Sequence, residues 1–139
     1  MNDLKVLVTG VFDILHEEHI GFLQAAKQLG GILIIGIESD ARVKTLKGEG
    51  RPINSQKIRK ENIEALGVAN KVFVLPEKFS TSSEHLQLLQ ALHPTILAVS
   101  ESTPHLREKR KLLKQIGGKV VIVRKHNPAI STTKILEKS

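Results

Sequence analysis

Short runs of consecutive apolar residues alternate along this chain with longer stretches in which apolar residues return every three or four positions. The runs at 5–8 (KVLV), 32–37 (ILIIGI), 71–74 (KVFV), 96–99 (ILAV) and 120–123 (VVIV) are mostly unbroken, which predicts strands buried on both faces. Between them, 19–29, 55–66, 83–92 and 104–116 carry the helical spacing, and 131–136 predicts a last short helix. Strands covered on both sides and separated by helices predict a parallel sheet. The expected fold is therefore α/β: one Rossmann-like domain over residues 1–139, a five-stranded parallel sheet with helices on both faces. Residues 47–54 (KGEGRPIN) predict a Gly/Pro loop able to move. In an open parallel sheet the ligand sits beyond the carboxyl ends of the strands, at the switch point of the strand order.

Composition narrows the function. A chain of 139 residues with 40% hydrophobic and 25% charged residues has the make-up of one globular domain rather than a disordered segment. Four Phe and no Trp or Tyr require an aliphatic core and leave no stacking platform for single-stranded nucleic acid. The lack of Cys removes disulfides, thiolate zinc sites and Cys nucleophiles. No apolar run approaches the ~20 residues that span a bilayer. The first seven residues lack the basic and hydrophobic regions of a signal peptide, so a cytoplasmic protein without membrane attachment is expected. The net charge of +7 is uneven: residues 1–50 hold five basic and seven acidic residues, whereas 51–139 hold 16 basic and seven acidic. Arg107, Lys109, Arg110, Lys111 and Lys114 read as the solvated face of a helix, or as an attraction for a polyanion such as a nucleotide or nucleic acid.

The chemistry concentrates after the first strand, in Thr9-Gly10-Val11-Phe12-Asp13-Ile14-Leu15-His16-Glu17-Glu18-His19. Two His three residues apart lie on one side of a helix entrance, where free backbone N–H groups and the positive end of the helix dipole favour phosphate. An anion site with two imidazoles follows, although both rings could merely cap the helix. HxxH lacks the i, i+4 spacing of HExxH, so no metal ligands are assigned. Neither GxGxxG nor GxxxxGK[ST] occurs, which disfavours a dinucleotide dehydrogenase and a P-loop enzyme. Phosphates must then be held by helix ends and side chains.

GVFDILHEEH resembles the GxFDxxHxGH signature of the cytidylyltransferase-like nucleotidyltransferases. Residues 43–54 (VKTLKGEGRPIN) are similar to the corresponding loop in the nucleotidyltransferase domain of the ADP-heptose synthesis enzyme. Residues 130–135 (ISTTKI) match the C-terminal motif of glycerol-3-phosphate cytidylyltransferase. The three motifs keep the family's order and span almost the whole chain. The resemblance implies transfer of CMP or AMP from CTP or ATP to a small phosphorylated acceptor, a sugar or polyol phosphate, with release of pyrophosphate. It also implies Mg²⁺ with the triphosphate, and a homodimer.

By matching positions, the resemblance makes His16, His19, Lys44 and Arg59 the catalytic set. The two His would stabilise charge as the α-phosphate is transferred, and Lys44, Lys47 and Arg59 would neutralise phosphates or orient the acceptor. Gly10, Val11, Phe12, Asp13, Ser131, Thr132 and Thr133 would bind nucleotide, with Arg51, Arg124 and Lys125 as further phosphate or acceptor candidates. Asp13 is the nearest candidate to position Mg²⁺, or a residue that caps a turn. Plainer roles exist: Lys44 and Lys47 as helix-end cations, Ser131 as an N-cap, Arg59 as a surface partner of Glu61 or Glu64.

Three positions depart from the family pattern. Glu18 replaces the Gly of HxGH, bringing bulk and negative charge toward a polyanion. His126 stands where relatives carry Arg, and residues 99–103 (VSEST) replace a Gly-rich acidic segment. Glu18 therefore supports an alternative, a nucleotide-binding protein of the same fold without turnover. A basic nucleic-acid-binding module is the third class, resting only on the C-terminal charge.

Overall fold

The computed structural model describes residues 4–123. Along it run β1 (Lys5–Gly10), α1 (Glu17–Leu29), β2 (Ile32–Ile37), α2 (Asp40–Lys47) and α3 (Gln56–Ala65). They are followed by β3 (Lys71–Val74), α4 (Ser82–Leu92), β4 (Ile96–Ser100), α5 (Leu106–Gln115) and β5 (Lys119–Val123). All five expected strands are present, as are the helices expected near 19–29, 55–66, 83–92 and 104–116; the one expected at 131–136 lies outside the described residues. The additional helix is α2. Its sequence, DARVKTLK, buries only Val43, so no apolar period announces it. Local signals supply it instead: the Ser39 hydroxyl accepts from the Arg42 N–H, Asp40 complements the positive end, and Lys44 and Lys47 the negative end.

The strands form one parallel sheet in the order β3-β2-β1-β4-β5. β1 pairs with β2 along its whole length, from Lys5 opposite Ile32 to Gly10 opposite Ile37. Alternate residues serve opposite faces. Val6, Val8, Leu33, Ile35 and Ile37 pack with Leu23 and Ala26 of α1 and Ile63 of α3. Leu7, Ile34, Leu97 and Val99 pack with Leu89 of α4 and Leu112 and Leu113 of α5. This is the double winding that right-handed crossovers produce when the chain leaves β1 in one direction and returns beside it through β4. The switch point lies between β1 and β4, so the segment joining β1 to α1 stands where such sheets bind ligands. Among the described residues no helix is long and apolar enough to cross a membrane.

Candidate active site

His16 is the N-cap of α1, in extended conformation, and its Nδ1 accepts from the Glu18 backbone N–H at 3.2 Å. With Nδ1 accepting, the proton of the neutral ring resides on Nε2. The His16 ring stacks on that of His19, with centroids 3.8 Å apart and planes inclined by 23°. Phe12 meets His19 edge-on at 5.5 Å and 76°. Phe12 is buried and holds a left-handed backbone, φ 50°. Its ring occupies the space beside Gly10, where a Cβ would come within 2.8 Å of a ring carbon. Gly10 and Phe12, expected at the nucleotide, thus also seat His19. Burial pushes the His19 pKa below the usual imidazole value and the neighbouring His16 adds to this, against the opposing influence of the Ile14 carbonyl and Glu18.

Asp13 is a clamp. It is only 5% exposed. Its Oδ2 accepts from the Ile53 N–H at 2.7 Å and from Arg51 Nη2 at 3.2 Å, and its Oδ1 accepts from the Asn54 N–H at 2.8 Å. Asn54 Nδ2 completes the connection by donating to the Asp13 carbonyl at 2.7 Å. Burial alone would raise the Asp13 pKa, but the Ile53 and Asn54 amides and Arg51 outweigh it and hold the carboxyl below its ordinary value. The 51–54 half of the loop expected to move is therefore tied to the signature loop, leaving the exposed 48–50 turn, where Gly48 and Gly50 take positive φ. Both carboxylate oxygens serve donors of the chain itself, so Asp13 does not fit the role of a Mg²⁺ ligand.

Asp13→Asn is expected to lower stability at pH 7 by about 1–3 kcal/mol, because an amide places a donor against backbone donors. The sign with pH follows. A carboxyl with a depressed folded pKa contributes stability that is complete above its unfolded value of 3.8 and is lost as pH falls through the folded pKa. Urea midpoints of wild type and variant should therefore converge on acidification; a gap independent of pH would show that the carboxylate charge is not what holds the loop.

Arg59 departs from expectation. It is fully buried, not a surface partner of Glu61 or Glu64. Its Nε donates to Asn54 O at 3.0 Å, Nη1 to Val11 O at 3.0 Å and Glu38 O at 2.8 Å, and Nη2 to Asp40 Oδ1 at 2.8 Å. One guanidinium thus joins the segments that follow β1 and β2 to the start of α3. It is a positioning residue.

Lys44 is exposed and lies 3.6 Å from Glu49. With Arg51, Asp40, Pro52, Ile53 and Ser55 it lines an open cavity of about 450 Å³. Lys47 stays exposed at the end of α2, outside that lining. Lys109, expected on the solvated face of its helix, is half-buried, donates to Thr103 Oγ1 and Pro104 O, and has its pKa pushed down by burial. Arg124, Lys125, His126, Ser131, Thr132 and Thr133 lie outside the described residues. Sequence reasoning missed Asp40, Asn54 and Glu38. Glu38 faces Arg42 at 3.7 Å, and burial pushes its pKa up against the pull of Arg42 and Arg59. Ser39-Asp40 was a legible N-cap signal; nothing local marked Asn54.

Residues 7–138 match the model of the cytidylyltransferase-like family. The chain belongs to that family. Within it, similar relatives are the bifunctional protein HldE of Pelobacter propionicus, 37% identical over 134 residues, and that of Campylobacter jejuni serotype O:6, 38% identical over 138. These alignments cover 96% and 99% of this chain but only 26% and 28% of the relatives, so the chain spans about a quarter of their length. A lipopolysaccharide core biosynthesis protein from Thermoplasma volcanium superimposes with TM-score 0.70 at 25% identity, covering 89% of this chain and 97% of that one. Pantoate-beta-alanine ligase from Francisella tularensis, at 16% identity and TM-score 0.66, covers 91% of this chain and 61% of its own and shares the fold.

Proposed function

We propose that this domain is a nucleotidyltransferase that passes CMP or AMP from CTP or ATP to a small phosphorylated acceptor and releases pyrophosphate, acting as a cytoplasmic homodimer. The observation that carries the reading is the stacked His16–His19 pair at the N-terminus of α1, beside the switch point of the sheet. A triphosphate set there meets the free N–H groups of the first turn and donors from both rings. An acceptor phosphate oxygen attacks the α-phosphorus in line, forming one P–O bond while the bond to pyrophosphate breaks, with no covalent enzyme intermediate. The rings follow the charge that grows on the departing pyrophosphate. Lys44 and Arg51 line the neighbouring cavity and hold the acceptor phosphate there, with Asp40 and Ser55 available to its hydroxyls.

The solved neighbour described as a lipopolysaccharide core biosynthesis protein favours a sugar phosphate over a polyol phosphate as acceptor. Mg²⁺ accompanying the triphosphate would neutralise phosphate charge, and among the described residues no group of three or more His, Asp or Glu gathers to hold the ion itself. Pyrophosphate release from CTP and ATP, measured against a panel of sugar phosphates and glycerol 3-phosphate, tests the reading. Nucleotide binding without release from any pair would leave the non-catalytic alternative standing.

Two further outcomes are expected. His19 is held below its usual pKa, and an arriving polyanion favours its protonated form. Nucleotide binding should therefore take up a proton, and affinity should rise as pH falls toward the lowered pKa of free His19. Calorimetric heats that do not vary with the ionisation enthalpy of the buffer would contradict this. Glu18, exposed in the first turn of α1, complements the helix dipole in the free protein and opposes a polyanion in the bound one. Glu18→Gly is expected to tighten nucleotide binding about tenfold while lowering stability without ligand by roughly 1 kcal/mol. Weaker binding in a calorimetric titration would instead make Glu18 a working contact.

A further inference from the structure

The outer face of α5 carries charge that the proposed reaction does not use. Arg107, Arg110, Lys111 and Lys114 are exposed, and their spacing of three, four and seven sets them on one stripe. At 1.5 Å per residue the stripe is about 10 Å long. Together with Leu106 the four side chains border a shallow, open depression of about 420 Å³. Among the described residues none of the four has a carboxylate at ion-pair distance. Glu108, the acidic residue of α5, accepts instead from the Ser82 hydroxyl of α4. Cations three and four apart on a helix repel one another, so the stripe weakens α5 until something neutralises it. It lies on the sheet face opposite α1, away from the His pair.

We propose that this stripe is a docking surface for a partner protein that presents an acidic segment, with carboxylates spaced to meet the four cations and methylenes to cover the floor. Glu side chains offer both. By sign, residues 124–139 are a poor match, with Arg124, Lys125, Lys134 and Lys138 against Glu137. Duplex nucleic acid is a poorer match: four cations neutralise at most about four phosphates, which supports only weak binding to a duplex. A single strand would want aromatic platforms, and none lines the cavity. A membrane is poorer still, since the exposed large hydrophobic residues, Leu4, Ile14, Leu46, Ile53 and Ile58, all lie off α5.

The test compares labelled poly-L-glutamate, a duplex DNA and phosphatidylserine-containing vesicles as probes of the whole chain. Three proteins are used: wild type, Arg110→Glu/Lys111→Glu/Lys114→Glu, and the charge-matched control Lys57→Glu/Lys71→Glu/Lys78→Glu. Wild type and control should bind polyglutamate alike, and the α5 variant about tenfold or more weakly, with affinity falling as salt rises. Should the α5 variant unfold, Arg110→Gln/Lys111→Gln/Lys114→Gln repeats the measurement without introducing repulsion. Equal losses in both triple variants would reduce the effect to net charge and overturn the proposal. So would absence of polyglutamate binding, or tighter α5-dependent binding of DNA or vesicles. Self-association abolished only in the α5 variant would assign the surface to a second copy of the chain and overturn it too.

Discussion

Replacing His16 or His19 by Ala should lower kcat for nucleotidyl transfer by about 10²–10³-fold in each case, the cost of removing one preorganised donor from a developing oxyanion. The two effects should not add. The rings stack at 3.8 Å, and removing either changes the seat of the other. Loss of the His16 cap costs about 0.5–1 kcal/mol of stability, too little to unfold the domain. Melting curves recorded beside rates of pyrophosphate release separate the two quantities. Full rates in both variants would take the His pair out of the mechanism and the proposed function with it.

The largest effect on stability is expected at Arg59. Arg59→Met keeps the length of the side chain and removes every donor, leaving the part-buried carbonyls of Val11, Glu38 and Asn54 without it. Asp40, with its side chain about half-exposed, can turn to water, so the cost falls mainly on the carbonyls. A loss of about 3–5 kcal/mol is expected from urea denaturation. Arg59→Lys should recover little, because one ammonium cannot span acceptors on three segments. A loss below about 1 kcal/mol in Arg59→Met would mean that the segments hold their places without it. Where the variant still folds, KM should rise more than kcat falls, since Arg59 touches no reacting atom and acts through the loops it joins.

These residues mark where sequence reading succeeds and where it stops. The signature from Gly10 to His19 placed the His pair at a helix entrance, because the strand before it and the helix after it both announce themselves by apolar period. The same reading misjudged α3. In QKIRKENIEA the aliphatic Ile58 is exposed, and Arg59 takes the buried position in line with Ile63. Hydropathy orients a helix by its apolar residues. It has no means of knowing that three carbonyls and a carboxylate from other segments converge on one spot and make a buried cation stable. Asp13 is similar: its type suited a metal or a turn, and only the approach of Arg51, Ile53 and Asn54, some 40 positions away, decided for the clamp.

By itself the sequence determined the elements that rest on local periodicity, the parallel class of the sheet, and the family, through three motifs in order. Those features depend on neighbours within a few residues, or on residue types in fixed spacing. Tertiary structure alone decided the strand order β3-β2-β1-β4-β5, the seating of His19 by Phe12 and Gly10, and the burial of Arg59. Each of these depends on groups that meet only in the folded chain. The physical reason is that hydrogen bonds and packing act through space, whereas a one-dimensional pattern records only what each residue prefers before it meets its partners.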